Sequence, residues 1–199
     1  MPGQFETDKF PFIKAKHFRP GPAGRRAVRV VVIHSMESAE TADTAENVAK
    51  MFQTSEREAS AHLCIDSNSI VQCVLDNDIA FAAPGVNSDG IHLELAGKAA
   101  QTEAQWLDEF GKLLLENAAN AAAQYCLKYD IPVKHLTNDE LRDKKNKGII
   151  GHVQASKVFP PNAGHTDPGA HFPWEFFVGR VAHHHAALLE KFNASSATG

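Results

Sequence analysis

The sequence predicts a mixed α/β domain, a central mixed β-sheet flanked by helices, and three observations carry that reading. One is a β-branched, nearly all-apolar run, AVRVVVI at 27–33, the pattern of a strand covered on both faces. Another is a long stripe at helical spacing, Trp106, Phe110, Leu113, Leu114, Ala118, Ala121, Ala122 and Tyr125, which marks a helix with one buried side. The third is the succession itself: strand-like and helix-like segments follow one another with no internal repeat, as in a sheet with helices packed on it. At 199 residues and 43% hydrophobic content, the chain has room for one ordinary core and not for two full domains.

Residues 1–26 hold Pro2, Pro11, Pro20 and Pro22 among glycines and basic side chains, a composition that suits an irregular arm ordered by docking. A catalytic unit is expected over 27–192, with 193–199 as a tail. The strand at 27–33 delivers His34 at its C-terminal end. In TADTAENVAKMFQTSE, Ala45, Val48, Ala49 and Phe52 recur at helical spacing behind a possible Asp43 or Thr44 cap, so a helix is expected over 44–57. HLCI and IVQCVL flank Asp66-Ser67-Asn68-Ser69, a hairpin signal. After the loop AAPGVNSDG, a strand is expected at IHLELAG. The long stripe begins behind Thr102 and Glu103 and ends at Asp130-Ile131-Pro132, which reads as a single helix. A short helix is expected over Asp139–Lys144, and Pro173 opens a last one reaching Leu189, with Gly179 weakening its middle.

A net charge of -4 and a pI near 6.2 give no broad electrostatic reason to bind nucleic acid or an anionic membrane, since both favour a basic footprint. Cys64, Cys73 and Cys126 are an odd number without a CxxC pair, which reads as buried free thiols. The first residues lack an apolar signal region and no run approaches the roughly 18 apolar residues of a membrane span. The expectation is a monomer made in the cytoplasm without a signal peptide, with a neutral or small partner and no membrane insertion.

Histidine is the compositional oddity, with 11 residues. His34 follows the buried run, His152 follows GIIG, and Asp167 lies inside GHTDPG. Two histidines and one carboxylate suit catalytic zinc, because a fourth position stays open for water. Any one of them alone is more simply read as a core or surface side chain satisfied by hydrogen bonds, so spacing does not establish the site. The HHH run at 183–185 falls in a helical pattern where consecutive side chains diverge, and reads as a solvated face.

The ordered set VVIH (31–34), SAH (60–62), IVQCV (70–74), LELAG (93–97), GH (151–152) and TDPG (166–169) resembles the zinc-dependent N-acetylmuramoyl-L-alanine amidases, the family that includes muropeptide amidases, phage endolysins and animal peptidoglycan recognition proteins. The resemblance spans about 27–178 and is closest to endolysins of actinobacterial phages. It implies the peptidoglycan recognition protein/amidase-like fold and hydrolysis of the amide between N-acetylmuramic acid and L-alanine of peptidoglycan or a muropeptide. It also implies Zn2+ held by His34, His152 and Asp167, and release to the cell wall through a holin-type lesion. Glu94 matches the family's catalytic glutamate, although alternation in LELAG fits a solvent-facing carboxylate equally well. His165 stands where the family often has a lysine that meets the oxyanion. His62, His92 and His171 are candidate substrate contacts. Two departures are AFAAPG (80–85) in place of a WHAG-like element and a loop at Val153–Gly164 longer than in compact members. A non-catalytic muropeptide-binding module and a zinc amidase for cytosolic muropeptides are the alternatives; the binding module typically lacks a metal ligand.

Overall fold

The fold, taken from a computed structural model, is described for residues 5–160 and 164–197. In chain order its elements are β1 (Phe18–Arg19), β2 (Val30–Ser35), α1 (Thr44–Thr54), β3 (Leu63–Ile65), β4 (Ile70–Gln72), β5 (Ile79–Ala80), β6 (Gly90–Leu95), α2 (Glu103–Trp106), α3 (Glu109–Tyr129), α4 (Asn138–Arg142), β7 (Gly148–Gly151), α5 (His152–Val158) and α6 (Trp174–Ala197). The main sheet runs β4-β3-β6-β2-β7, parallel except for β4 at one edge. A smaller sheet pairs β1 with β5.

Period-two alternation divides the sheet into two working faces. Val31, Ile33, Leu63, Ile65, Leu93 and Leu95 point to one side, where α3 and α6 cover them. Val30 and Val32 point to the other, against Ile150, Ala155 and Val158 of β7 and α5. Every residue of β2 is buried, and each fully covered valine or isoleucine contributes roughly 1.5–3 kcal/mol. The run read as a central strand is therefore central, and it fixes the level at which His34 emerges.

Several boundaries differ from the expectations, each for a local reason. The stripe expected as one helix is two: α2 stops, and Asp108 caps α3 by accepting the Gly111 N–H at 2.8 Å. A Cβ on Gly111 would lie 2.2 Å from the Trp106 carbonyl oxygen, so the chain folds tightly back there. Helix α1 ends at Thr54 rather than 57, and its cap comes from neither Asp43 nor Thr44. Asp66, in the β3–β4 turn, accepts the Ala45 N–H at 2.9 Å and also ties down Asn68 and Ser69. The segment expected as a loop from Val153 begins as α5, and residues 161–163 of that expectation lie outside the described residues. Helix α4 begins one residue and ends two residues earlier than expected, at Asn138 and Arg142, and α6 runs past Leu189 to Ala197. Cys64, Cys73 and Cys126 are buried free thiols. Among the described residues no helix is long and apolar enough to cross a membrane.

The arm docks by main-chain pairing along β4: Ile13 and Ala15 donate to Gln72 and Cys73 carbonyls at 2.9 Å, and Gln72 donates to Pro11 at 2.8 Å. It then brings in Arg26, a buried guanidinium that donates to the carbonyls of Asp76, Ser88 and Gly90 at 3.0–3.2 Å. Beside it lies His62, fully buried. Its Nδ1 accepts the His92 N–H at 3.0 Å, so the neutral ring carries its proton on Nε2, 3.2 Å from the Asp78 carbonyl. Burial, reinforced by the Arg26 charge, pushes the His62 pKa down to about 3.

Unfolded, this imidazole takes a proton near pH 6.5, the ordinary value of about 6.5 for histidine. Its folded pKa is lower, so the unfolded state binds more protons and stability falls as pH drops below that value, down to the folded pKa. The loss is up to about 1.4 kcal/mol per pH unit for one such group. Denaturant titrations of metal-free protein at stepped pH should show this decline, shallower in His62→Asn. Identical slopes in the two proteins would remove His62 as a cause of acid lability.

Candidate active site

Strands β6, β2 and β7 end side by side, and the candidate site occupies that C-terminal edge, where open α/β sheets commonly bind ligands. Parallel register sets His34 opposite Glu94 and Ile33 opposite Gly151. His152 follows at the next level, as the first residue of α5. Asp167 arrives from the TDPG turn, whose position is fixed where the Val153 N–H donates to the Asp167 carbonyl at 2.9 Å. That turn is wedged tightly: Gly169 adopts φ 107°, and a Cβ there would lie 2.1 Å from the Ala99 carbonyl oxygen.

The three side chains converge. His34, His152 and Asp167 are all buried, and they present ligand atoms within 4.8 Å of one another. Asp167 Oδ2 lies 3.2 Å from His34 Nδ1 and 3.1 Å from His152 Nδ1. Donors bound to a tetrahedral zinc at about 2.0–2.1 Å stand about 3.3 Å apart, and the two distances to Asp167 match that spacing. Protonation fits as well. Burial lowers the His34 pKa and so favours a neutral ring with a lone pair to give. Burial works against ionised Asp167, but its close contacts with His152 and His34 hold its carboxyl well below the usual range.

Glu94 stands beside this cluster, its Oε1 4.0 Å from His34 Nδ1 and its side chain 15% exposed. Burial, then the charge of Asp167, pushes its pKa well up, so the ionised form is a strong base. His165 stacks on His152 with ring centroids 3.9 Å apart and keeps 48% of its side chain exposed. Burial and then His152 lower its pKa, so near neutrality it offers an N–H rather than the permanent charge of a lysine. Both line a cleft of about 260 Å³ that also contains the metal-ligand candidates. Met36, Met51, Phe52 and Phe81 give it an apolar wall, and Glu37 and Arg57 add charge.

The remaining histidine expectations fare differently. His62 and His92 have no exposed surface, so they lie behind the site and not in the cleft where substrate contact requires them. Alternation places His92 on the face of Glu94, but that face is roofed, and His62 packs behind the site beside it. His171 is exposed and is not among the cleft-lining residues. Sequence reading passed over Glu37 and Arg57, which carry no motif. In place of the WHAG-like element, Phe81 and Ala82 of AFAAPG line the cleft. A larger concavity of about 540 Å³ lies at the opposite end of the sheet, around Arg25, Lys128 and Lys147. Lys147 there bonds the carbonyls of Tyr129 and Asp130 at the end of α3, and Lys128 bonds Asp76, which accounts for these cations structurally.

The sequence profile of the N-acetylmuramoyl-L-alanine amidases matches residues 24–170. No curated protein sequence matches significantly. Among solved structures, the Staphylococcus aureus hydrolase AmiA in complex with its ligand superposes with a TM-score of 0.70 at 14% identity, over 94% of this chain and 87% of that one. The catalytic domain of XlyA gives 0.60 at 15% identity, over 87% and 99%. The endolysin amidase LysCS from Clostridium intestinale gives 0.54 at 13% identity, over 89% and 97%. At such identities these likenesses establish a shared fold, while the profile match spans His34, His152 and Asp167 together; the chain belongs to the N-acetylmuramoyl-L-alanine amidase family.

Proposed function

We propose that this chain is a zinc-dependent N-acetylmuramoyl-L-alanine amidase that hydrolyses the bond between N-acetylmuramic acid and the L-alanine of the stem peptide. The observation that carries the proposal is the convergence of His34, His152 and Asp167 on the floor of a cleft with Glu94 at their side. Those three residues would hold the ion through His34 Nδ1, His152 Nδ1 and a carboxylate oxygen of Asp167. Zinc in such a site supplies Lewis acidity toward a carbonyl oxygen and makes water more acidic.

The chain's own groups divide the rest of the reaction. Glu94 takes a proton from the attacking water and returns it to the departing alanine nitrogen, for which its raised basicity suits it. His165, at the cleft surface, donates its N–H to the carbonyl oxygen as negative charge develops there. The apolar wall around Met51 and Phe52 covers the uncharged part of the substrate. Residues 27–192 form the catalytic unit in this reading. An endolysin role, with release through a holin-type lesion, is supported by the motif resemblance to phage endolysins.

Digestion of purified peptidoglycan tests the function directly. The expected result is new free L-alanine amino termini and intact glycan chains, identified by mass. Binding to the wall without new ends would instead favour a muropeptide-binding module, and cleavage only of soluble fragments would favour an amidase for cytosolic muropeptides.

Three substitutions test the assignments. His152→Ala should lose stoichiometric zinc and nearly all turnover, because three protein ligands leave no redundancy; one tightly bound ion per chain in that variant would contradict the ligand set. Glu94→Gln keeps shape but cannot accept the proton, so zinc content should persist while kcat falls about a hundredfold or more. Near-normal kcat would move the base elsewhere. His165→Ala should lower kcat by about ten- to a hundredfold with little change in KM, as for a lost oxyanion donor, and full activity would take the residue out of the mechanism.

A further inference from the structure

A row of buried imidazoles leads from the cleft into the body of the sheet. His34 Nε2, the ring nitrogen turned away from the cluster, lies 3.1 Å from His92 Nδ1. The His92 ring stacks on His62 with centroids 5.6 Å apart and planes 14° from parallel. The backbone N–H of His92 donates to His62 Nδ1 at 3.0 Å, and His62 in turn is wedged between Arg26 and the Asp78 carbonyl. Gly90 closes the other side, since a Cβ there would lie 3.0 Å from His92 Nε2. The ring is thus pinned by its neighbours, and among the described residues its buried Nε2 has no hydrogen-bond partner.

We propose that His92 is a positioning residue for the metal centre, accepting the Nε2–H of His34 on its Nδ1 and so fixing the tautomer and ring plane that leave His34 Nδ1 free to bind the ion. The inference rests on the reading of His34 as a metal ligand. Once Nδ1 of His34 carries a metal, its ring proton must sit on Nε2, and His92 Nδ1 is the acceptor in place for it. His92 must then carry its own proton on Nε2, leaving a donor unpaired in the core. An unpaired buried donor is unfavourable to folding, so packing alone gives no reason to keep an imidazole there. A metal-bound histidine ordinarily donates to a carboxylate, a backbone carbonyl or water. A neutral imidazole in that place orients the ligand without adding negative charge.

The test compares zinc affinity, by chelator competition, in wild type, His34→Ala, His92→Leu and His92→Asn, with the unfolding temperature of each metal-free protein as a control. Asparagine places an amide oxygen near the position of Nδ1 and keeps the acceptor, whereas leucine keeps bulk and removes it. His92→Leu should bind zinc about ten- to a hundredfold more weakly, the usual scale for an outer partner of a metal-binding histidine. His92→Asn should restore most of that loss. Equal affinity in His92→Leu and wild type, with affinity lost in His34→Ala, would overturn the inference while sparing the ligand assignment. Equal loss in the asparagine and leucine variants would also overturn it, since shape alone would then be at stake. Wild-type affinity in His34→Ala would instead bring down the metal reading itself. Should His92→Leu not fold, His92→Ala removes the ring without bulk beside Gly90 and gives the same comparison with asparagine.

Discussion

The parallel hydrogen-bond ladder that holds β2 between β6 and β7 is the constraint on which the site depends. It aligns three strand ends at one level, and a shift of one residue would turn His34 or Glu94 to the opposite face, among Ile33, Leu93 and Leu95. The burial of Val30 to Ile33 holds that register against thermal slippage. His152 follows directly on the ladder as the first residue of α5, while Asp167 comes from a separate turn, locked by the backbone bond from Val153 and by the fit of Gly169 against Ala99. The metal-ligand candidates are therefore placed by main chain, with little left to side-chain flexibility.

Behind them the same sheet face carries buried polar side chains next to Val30 and Val32. His62 and His92 occupy core positions with no exposed surface, and Arg26 reaches in beside them from the arm. Such a column is tolerable because Arg26 is met by carbonyls from two loops and because burial keeps the rings neutral. The arm thus contributes to the interior as well as to the surface.

Much of this was legible in the sequence. A β-branched run ending in histidine announces a core strand with a polar tip, and β2 is that strand. The set of short motifs links His34, His152 and Asp167 through the family resemblance alone. Other features were hidden for physical reasons. In a sheet covered on both sides, period two separates two interiors and not core from solvent, so His92, two residues before Glu94, looked like a cleft residue. The break between α2 and α3 leaves the apolar spacing of the sequence uninterrupted, although Leu113 of that stripe is exposed, and it depends on how Gly111 meets the Trp106 carbonyl, a contact with no compositional signature. The α1 cap comes from Asp66, 21 residues away, beyond the reach of local capping rules. Helix α5 begins directly at the end of β7, with Gln154 supplying its capping contact to the Gly151 N–H, where a loop was expected from Val153.

The docked arm has a consequence of another kind. A short outer strand such as β4 would ordinarily offer its unpaired amides and carbonyls to any other extended chain, the usual start of edge-to-edge aggregation. Here Pro11 to Ala15 already occupy that side, and Pro11 itself has no N–H with which to extend a ladder. On the far side, Leu136 donates to Ile149 at 3.0 Å and the Ile149 N–H donates to Lys134 at 2.8 Å, so β7 is also partnered along its outer margin. Both margins of the sheet are thus closed by the chain itself, which favours colloidal stability when many copies accumulate in a confined volume.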